Sequence, residues 1–139
     1  MMSETPPVSA LALEFTAQAD DIDQFGHVNN AVWVRWIQEV ARTHWERAAP
    51  TEQQERLAWL VVRHEIDYLR PLHEGETAVA RTWIDPEVRG ARSTRHVIFE
   101  RDGKTLVRAA TGWAMIDLAT GRAQRVRPEH LAPFLPSDD

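Results

Sequence analysis

Leu11, Leu13 and Phe15 alternate with Ala12, Glu14 and Thr16, the two-residue period of a strand with one buried face. The next stretch, Asp20-Asp21-Ile22-Asp23-Gln24-Phe25-Gly26-His27, is rich in acids and holds a glycine, which predicts an irregular loop. Asn29 and Asn30 then offer short side chains that can cap orphan N–H groups, and a helix is expected from Ala31 to about Ala49, stopped by Pro50. Arg35, Glu39, Arg42 and Glu46 fall on one polar stripe of it. Val32, Trp33, Val34, Trp36, Ile37, Val40, Ala41 and Trp45 cover most of the remaining circumference, so the helix should be largely enclosed.

From about Trp59 the pattern is that of strands. Leu60, Val62, Ile66 and Tyr68 share one alternation phase before Pro71 and Glu74-Gly75, and Val79 and Trp83 share another before Asp85-Pro86. Val97 and Phe99 lead into Asp102-Gly103, a strong hairpin signal. Leu106 to Leu118 reads as a long final strand turning at Thr120-Gly121, and Pro128 to Phe134 as a short terminal helical turn. One strand, a long helix and four strands in series give an α+β fold: a five-stranded antiparallel sheet curled around one central helix. Such a sheet leaves an outer face and an edge to cover, so a homo-oligomer, dimer or tetramer, is expected.

At 139 residues the chain suits one domain, 1–139, with loose ends over about 1–9 and 136–139. A formal net charge of −5 gives no general attraction to nucleic acid or to an anionic membrane. The absence of cysteine excludes disulfides, thiolate metal sites and a cysteine nucleophile, and fits a cytoplasmic location. Met1 to Ala10 does not read as a signal peptide, and no apolar run approaches a membrane span. His44, His64, His73, His96 and His130 show no metal-ligand spacing, so no metal is expected.

The loop before the helix carries the candidate chemistry. Asp23-Gln24-Phe25-Gly26-His27-Val28-Asn29-Asn30 sets a carboxylate just ahead of a helix N-terminus, where unpaired N–H groups and the positive end of the dipole suit a developing oxyanion. Asp23 could there attack a polarised carbonyl or activate a water. Turn and cap chemistry alone would use the same residue types, and on the pattern by itself that reading stands beside the catalytic one.

Asp23-x-x-Gly26-His27-Val28-Asn29-Asn30, followed by Trp33, Trp36 and Glu39, resembles the signature of the 4-hydroxybenzoyl-CoA thioesterase-like branch of the hotdog superfamily. It is similar also to bacterial long-chain acyl-CoA thioesterases and plant acyl-ACP thioesterases. Ile66-Asp67-Tyr68-Leu69-Arg70-Pro71-Leu72 with Glu74-Gly75, and Arg108 to Gly121 with Trp113 and Asp117, continue the likeness, which covers roughly Leu11 to Phe134. The resemblance implies hydrolysis of an acyl-CoA or acyl-ACP thioester, with dimers that place active sites at the subunit interface. It implies no cofactor, CoA entering only as part of the substrate. Asp23 matches the family's catalytic aspartate, a nucleophile in some members and a general base in others, and the amide of Asn30 or a neighbour matches the carbonyl-polarising donor. Phe25 stands where the plant enzymes carry an asparagine, so their assisted mechanism does not transfer, whereas Gly26 is common in the CoA branch.

His27 either assists the reaction or holds the turn. Asn29 is a cap or a substrate contact, Asp21 shapes the loop or stays solvated, and Glu39 is an active-site acid or the partner of Arg35 and Arg42. Arg89, Arg92 and Arg95 around Gly90 either hold CoA phosphates or an acidic carrier protein, or form a solvated strand face. Trp33, Trp36, Trp59 and Trp83 line an acyl or aryl pocket or fill core and interface. Two other readings compete with hydrolysis. A hotdog enoyl-CoA hydratase or dehydratase would carry an Asp-x-Asn-Pro-x-His pattern that this chain lacks. A non-catalytic acyl-CoA binding protein would bind without turnover.

Overall fold

The computed structural model describes residues 5–7 and 10–135. The expectation of loose ends at 1–9 and 136–139 falls largely outside them. Five strands form a single antiparallel sheet: β1 (Leu11–Thr16), β2 (Leu57–Tyr68), β3 (Thr77–Arg89), β4 (Arg92–Arg101) and β5 (Lys104–Asp117). Their order across the sheet is β1-β3-β4-β5-β2. The helix α1 (Asn30–Ala48) separates β1 from β2 in sequence, and those two strands are the sheet's edges. The structure is thus α+β, with the expected run of antiparallel strands after the helix.

Asn29 caps α1 by accepting the Ala31 N–H at 2.9 Å, and Ala49 ends it just before Pro50. Val32, Trp33, Trp36, Ile37 and Val40 are buried on the helix, while Arg35 and Arg42 lie on the polar stripe. These apolar residues share a core with Ala78 and Ala80 of β3, Val97 and Phe99 of β4, and Val107 and Ala109 of β5. Phe15, Trp33, Trp36 and Phe99 form its aromatic centre, with Trp33 and Phe99 rings 4.9 Å apart and edge-on. Each ring there buries a large apolar area, which makes this cluster a main source of stability. A second cluster joins Ala49, Leu57, Ile84 and Met115 to Val126, Leu131 and Phe134. The last two come from the terminal turn, which is a short helix α3 (Pro128–Leu131) followed by a 3₁₀ turn.

Some sequence expectations need correction. A short helix, α2 (Thr51–Arg56), follows Pro50, and β2 begins at Leu57. Leu60, Val62, Ile66 and Tyr68 do not share one inward phase. The ladder to β5 runs Val61–Trp113 and then Arg63–Gly112, so Val62 is an extra residue in a bulge. The bulge moves the inward face from odd to even positions: Leu60 and Val62 are exposed, whereas Ile66 packs on the core. Val79 and Trp83 do share a face, but it is the outer one; the buried phase of β3 is Ala78, Ala80, Thr82 and Ile84. β3 also continues past Asp85-Pro86 to Arg89, with an irregular register between Ile84 and Val88 that accommodates the proline. The Asp102-Gly103 hairpin is as expected, with both residues at positive φ (52° and 73°).

Candidate active site

The loop ahead of α1 is folded back on itself. An antiparallel bridge pairs Ile22 with Val28, and the Asp23 N–H donates to the His27 carbonyl at 2.9 Å. Asp23 Oδ1 accepts the Phe25 N–H at 2.9 Å, and Gly26 turns the chain at φ 82°. At that angle a side chain would be strained, which is what the glycine is for. The Val28 N–H donates to the Leu72 carbonyl and the Asn29 N–H to that of Asp21, both at 2.9 Å, so the loop is tied to the rest of the fold at its exit. Asp23 is half-buried, and its Oδ2 makes no hydrogen bond among the described residues.

Beyond this loop the first turn of α1 is open. Asn29, Asn30 and Ala31 are exposed, and the Asn30 N–H, first of the helix, has no partner among the described residues. Tyr68, at the end of β2, donates its hydroxyl to the Asn30 carbonyl at 3.4 Å. Partial burial raises the Tyr68 phenol above its usual range, which keeps it protonated at neutral pH. His27 packs its ring against that of His73, centroids 5.2 Å apart, and His73 Nδ1 lies 3.0 Å from Glu76. Bonds from the His73 backbone and ring hold the Glu76 carboxyl below the usual carboxylate range. The loop thus carries a carboxylate with one oxygen unbonded among the described residues, and the first turn of α1 carries an N–H without a partner among them and a phenol against its first carbonyl.

The chain matches the thioesterase-like superfamily over residues 17–134. It belongs to that superfamily. No curated protein matches it by sequence. Solved structures with the same fold include a 1,4-dihydroxy-2-naphthoyl-CoA thioesterase from Synechocystis, 17% identical, TM-score 0.76, covering 90% of this chain and 95% of that one. Another is a thioesterase from Thermus thermophilus complexed with coenzyme A and Zn, 19% identical, TM-score 0.76, covering 91% of each chain. A third is an acyl-ACP thioesterase from Bacteroides thetaiotaomicron, 19% identical, TM-score 0.80, covering 94% of this chain and 55% of that one.

Within this superfamily member the other candidate residues are dispersed. Asp21 is buried; its Oδ1 accepts from Arg35 Nη2 at 3.0 Å and its Oδ2 from the Gln18 N–H at 2.8 Å, so it shapes the loop and is not solvated. Glu39 lies one turn beyond Arg35 and faces it at 3.9 Å. Trp33 is 2% exposed and belongs to the core. Arg89 and Arg92 are exposed at the β3–β4 turn, but Arg95 leaves that group. It points inward and is 6% exposed, so the three arginines do not form one surface patch.

Arg95 instead borders a cavity of about 360 Å³ at the other end of α1. Trp45, Trp59, Trp113 and Phe134 form much of its wall. Arg95 Nη1 donates to His44 Nδ1 and to Thr82 Oγ1, both at 2.9 Å. Burial and the Arg95 charge push His44 down to about 4, so it is a neutral acceptor at neutral pH. Burial lowers Arg95 to about 10, which still leaves it cationic. Sequence reasoning missed this arrangement, because His44 and Arg95 lie 51 positions apart and no spacing signals their contact. Among the described residues no helix is long and apolar enough to cross a membrane.

Proposed function

We propose that this protein hydrolyses an acyl-CoA thioester at the N-terminal edge of α1, with Asp23 as its central catalytic group. The observation that carries the reading is the fold of the Asp23–His27 loop. It ties one carboxylate oxygen to the Phe25 N–H and leaves the other without a partner among the described residues, while the loop runs straight into an α1 terminus whose Asn30 N–H is also unpaired among them. Bound with its carbonyl oxygen on the Asn30 amide, a thioester would be polarised by that N–H and by the helix dipole. Asp23 Oδ2 then removes a proton from water as the water attacks the carbonyl carbon, and the negative charge gathers on the oxygen facing the amide. Collapse of the tetrahedral intermediate breaks the C–S bond, the proton returns to the departing thiolate, and free acid and thiol are released. Direct attack by Asp23, through a mixed anhydride that water opens, uses the same geometry.

The site belongs to a homo-oligomer in this reading. β2 is an edge strand, and Leu60, Val62 and Tyr68 on it are large exposed hydrophobics that a second copy would cover. Tyr68 also touches the start of α1, so such an interface borders the proposed reaction edge.

Free-thiol release tests the reading, measured over short, long and aryl acyl-CoAs and the matching acyl-ACPs. Turnover of at least one acyl-CoA, faster than of its ACP counterpart, is expected. Hydration of an enoyl-CoA without thiol release would instead make the protein a hydratase, and saturable binding without any release would make it a binding protein.

A further inference from the structure

The cavity at the C-terminal end of α1 is charged with one sign only. Arg42 and Arg95 are the charged residues on its lining, and no carboxylate among the described residues borders it. Arg95 is almost fully buried, yet both groups that accept from it, a neutral imidazole and a hydroxyl, lack the negative charge that would balance it. Its Nε and Nη2 make no hydrogen bond among the described residues. Trp113 lines the same space with its ring, while its Nε1 is closed off from it. A buried cation without an acid weighs against folding, so a fold keeps it where something else satisfies it. The remaining wall is apolar and largely aromatic. Trp45 stands edge-on to Trp59 with centroids 6.4 Å apart and lies nearly parallel to Phe134 at 6.1 Å. The volume falls in the range of small-molecule sites.

We propose that this cavity binds a small aromatic carboxylate, its carboxylate on Arg95 and its ring among Trp45, Trp59 and Phe134. A guanidinium matches a planar carboxylate with paired donors, and the ring walls favour a flat apolar body. The proposal does not depend on thioester hydrolysis, because binding is read directly and without turnover.

Isothermal titration of the full chain with 3-phenylpropanoate, 3-phenylpropanamide and octanoate tests it. The aromatic acid should bind saturably at one site per chain, and its neutral amide roughly tenfold or more weaker, because the charge-assisted bonds are lost. Octanoate should bind more weakly than the aromatic acid. Arg95→Met keeps similar volume without the charge. It should lose affinity for the acid by roughly tenfold or more while its thermal midpoint equals or exceeds that of the unmutated protein. The proposal is overturned by no binding of either acid, by amide and acid binding equally, or by Arg95→Met retaining full affinity. Tighter binding of octanoate would overturn the aromatic assignment. Should Arg95→Met fail to fold, the acid–amide comparison on the unmutated chain decides the matter alone.

Discussion

The two ends of α1 solve opposite problems. At the N-terminal end the chain leaves polar groups open: Asn29 and Asn30 are exposed, and the donors and acceptors without partners among the described residues belong to backbone and a carboxylate. At the C-terminal end, roughly 22 Å further along at 1.5 Å per residue, the polar groups are enclosed by aromatic walls, and the charge is a buried guanidinium. Local sequence suffices for the first, because one short loop leads from Asp23 into the helix start at Asn30. The second needs α1, several strands and the terminal turn at once. The comparison teaches that the proposed reaction edge lies within eight consecutive residues, whereas a charged, aromatic-walled cavity is a property of the whole fold.

The largest contrast should appear in packing. Phe99→Ala, in the dense aromatic centre, should destabilise by about 3–5 kcal/mol. Phe134→Ala, beside an existing cavity, should cost less, about 2–3 kcal/mol, since fewer contacts are lost there. Urea unfolding of both variants checks this, and equal costs would mean that the C-terminal end is as tightly packed as the other.

Acid should loosen the C-terminal end next. The folded-state pKa of His44, about 4, lies below its ordinary 6.5, so the native state binds fewer protons than the unfolded chain between those values. The stability it contributes is full above about pH 6.5 and is lost as pH falls towards 4. After allowance for screening by solvent the amount is on the order of 1–2 kcal/mol. His44→Gln should flatten that part of a stability-versus-pH curve; an unchanged slope would remove His44 as its source.

At the N-terminal end Asn29→Ala deletes the cap on the Ala31 N–H and should cost about 1 kcal/mol in chemical denaturation. A loss in kcat beyond what the folded fraction explains would tie the cap to the reaction edge. The smallest effect belongs to Glu39→Gln. Its exposed pairing with Arg35 should be worth about 0.3–0.5 kcal/mol, and turnover should be nearly unchanged. A large loss of turnover would place Glu39 in the chemistry.

Much of the fold was legible in the chain. The stripe of Arg35, Glu39, Arg42 and Glu46 marked the outer face of α1, and Asp102-Gly103 marked a hairpin, because both are local patterns with short-range causes. The face on which Leu60 and Val62 lie was not legible, since a bulge is set by pairing with β5 and leaves no mark on alternation. Burial of Arg95 was hidden for a similar reason. Its neighbours Arg89 and Arg92 read as one basic run, but strand alternation on an unseen sheet turns Arg95 inward onto His44 and Thr82. Of the candidate site, Asp23 and the helix start could be read from consecutive residues, while the approach of Tyr68 to Asn30 could not.

The most direct measurement is the kcat of Asp23→Asn beside the unmutated protein on whichever acyl-CoA it cleaves fastest, with circular dichroism to verify the fold. The account predicts a loss of roughly 10²–10⁴-fold with the fold and KM little changed, because a carboxylate that moves the proton is replaced by a neutral amide of the same shape. A variant that is folded and turns over at near-normal rate would contradict the account and move the catalytic role away from Asp23.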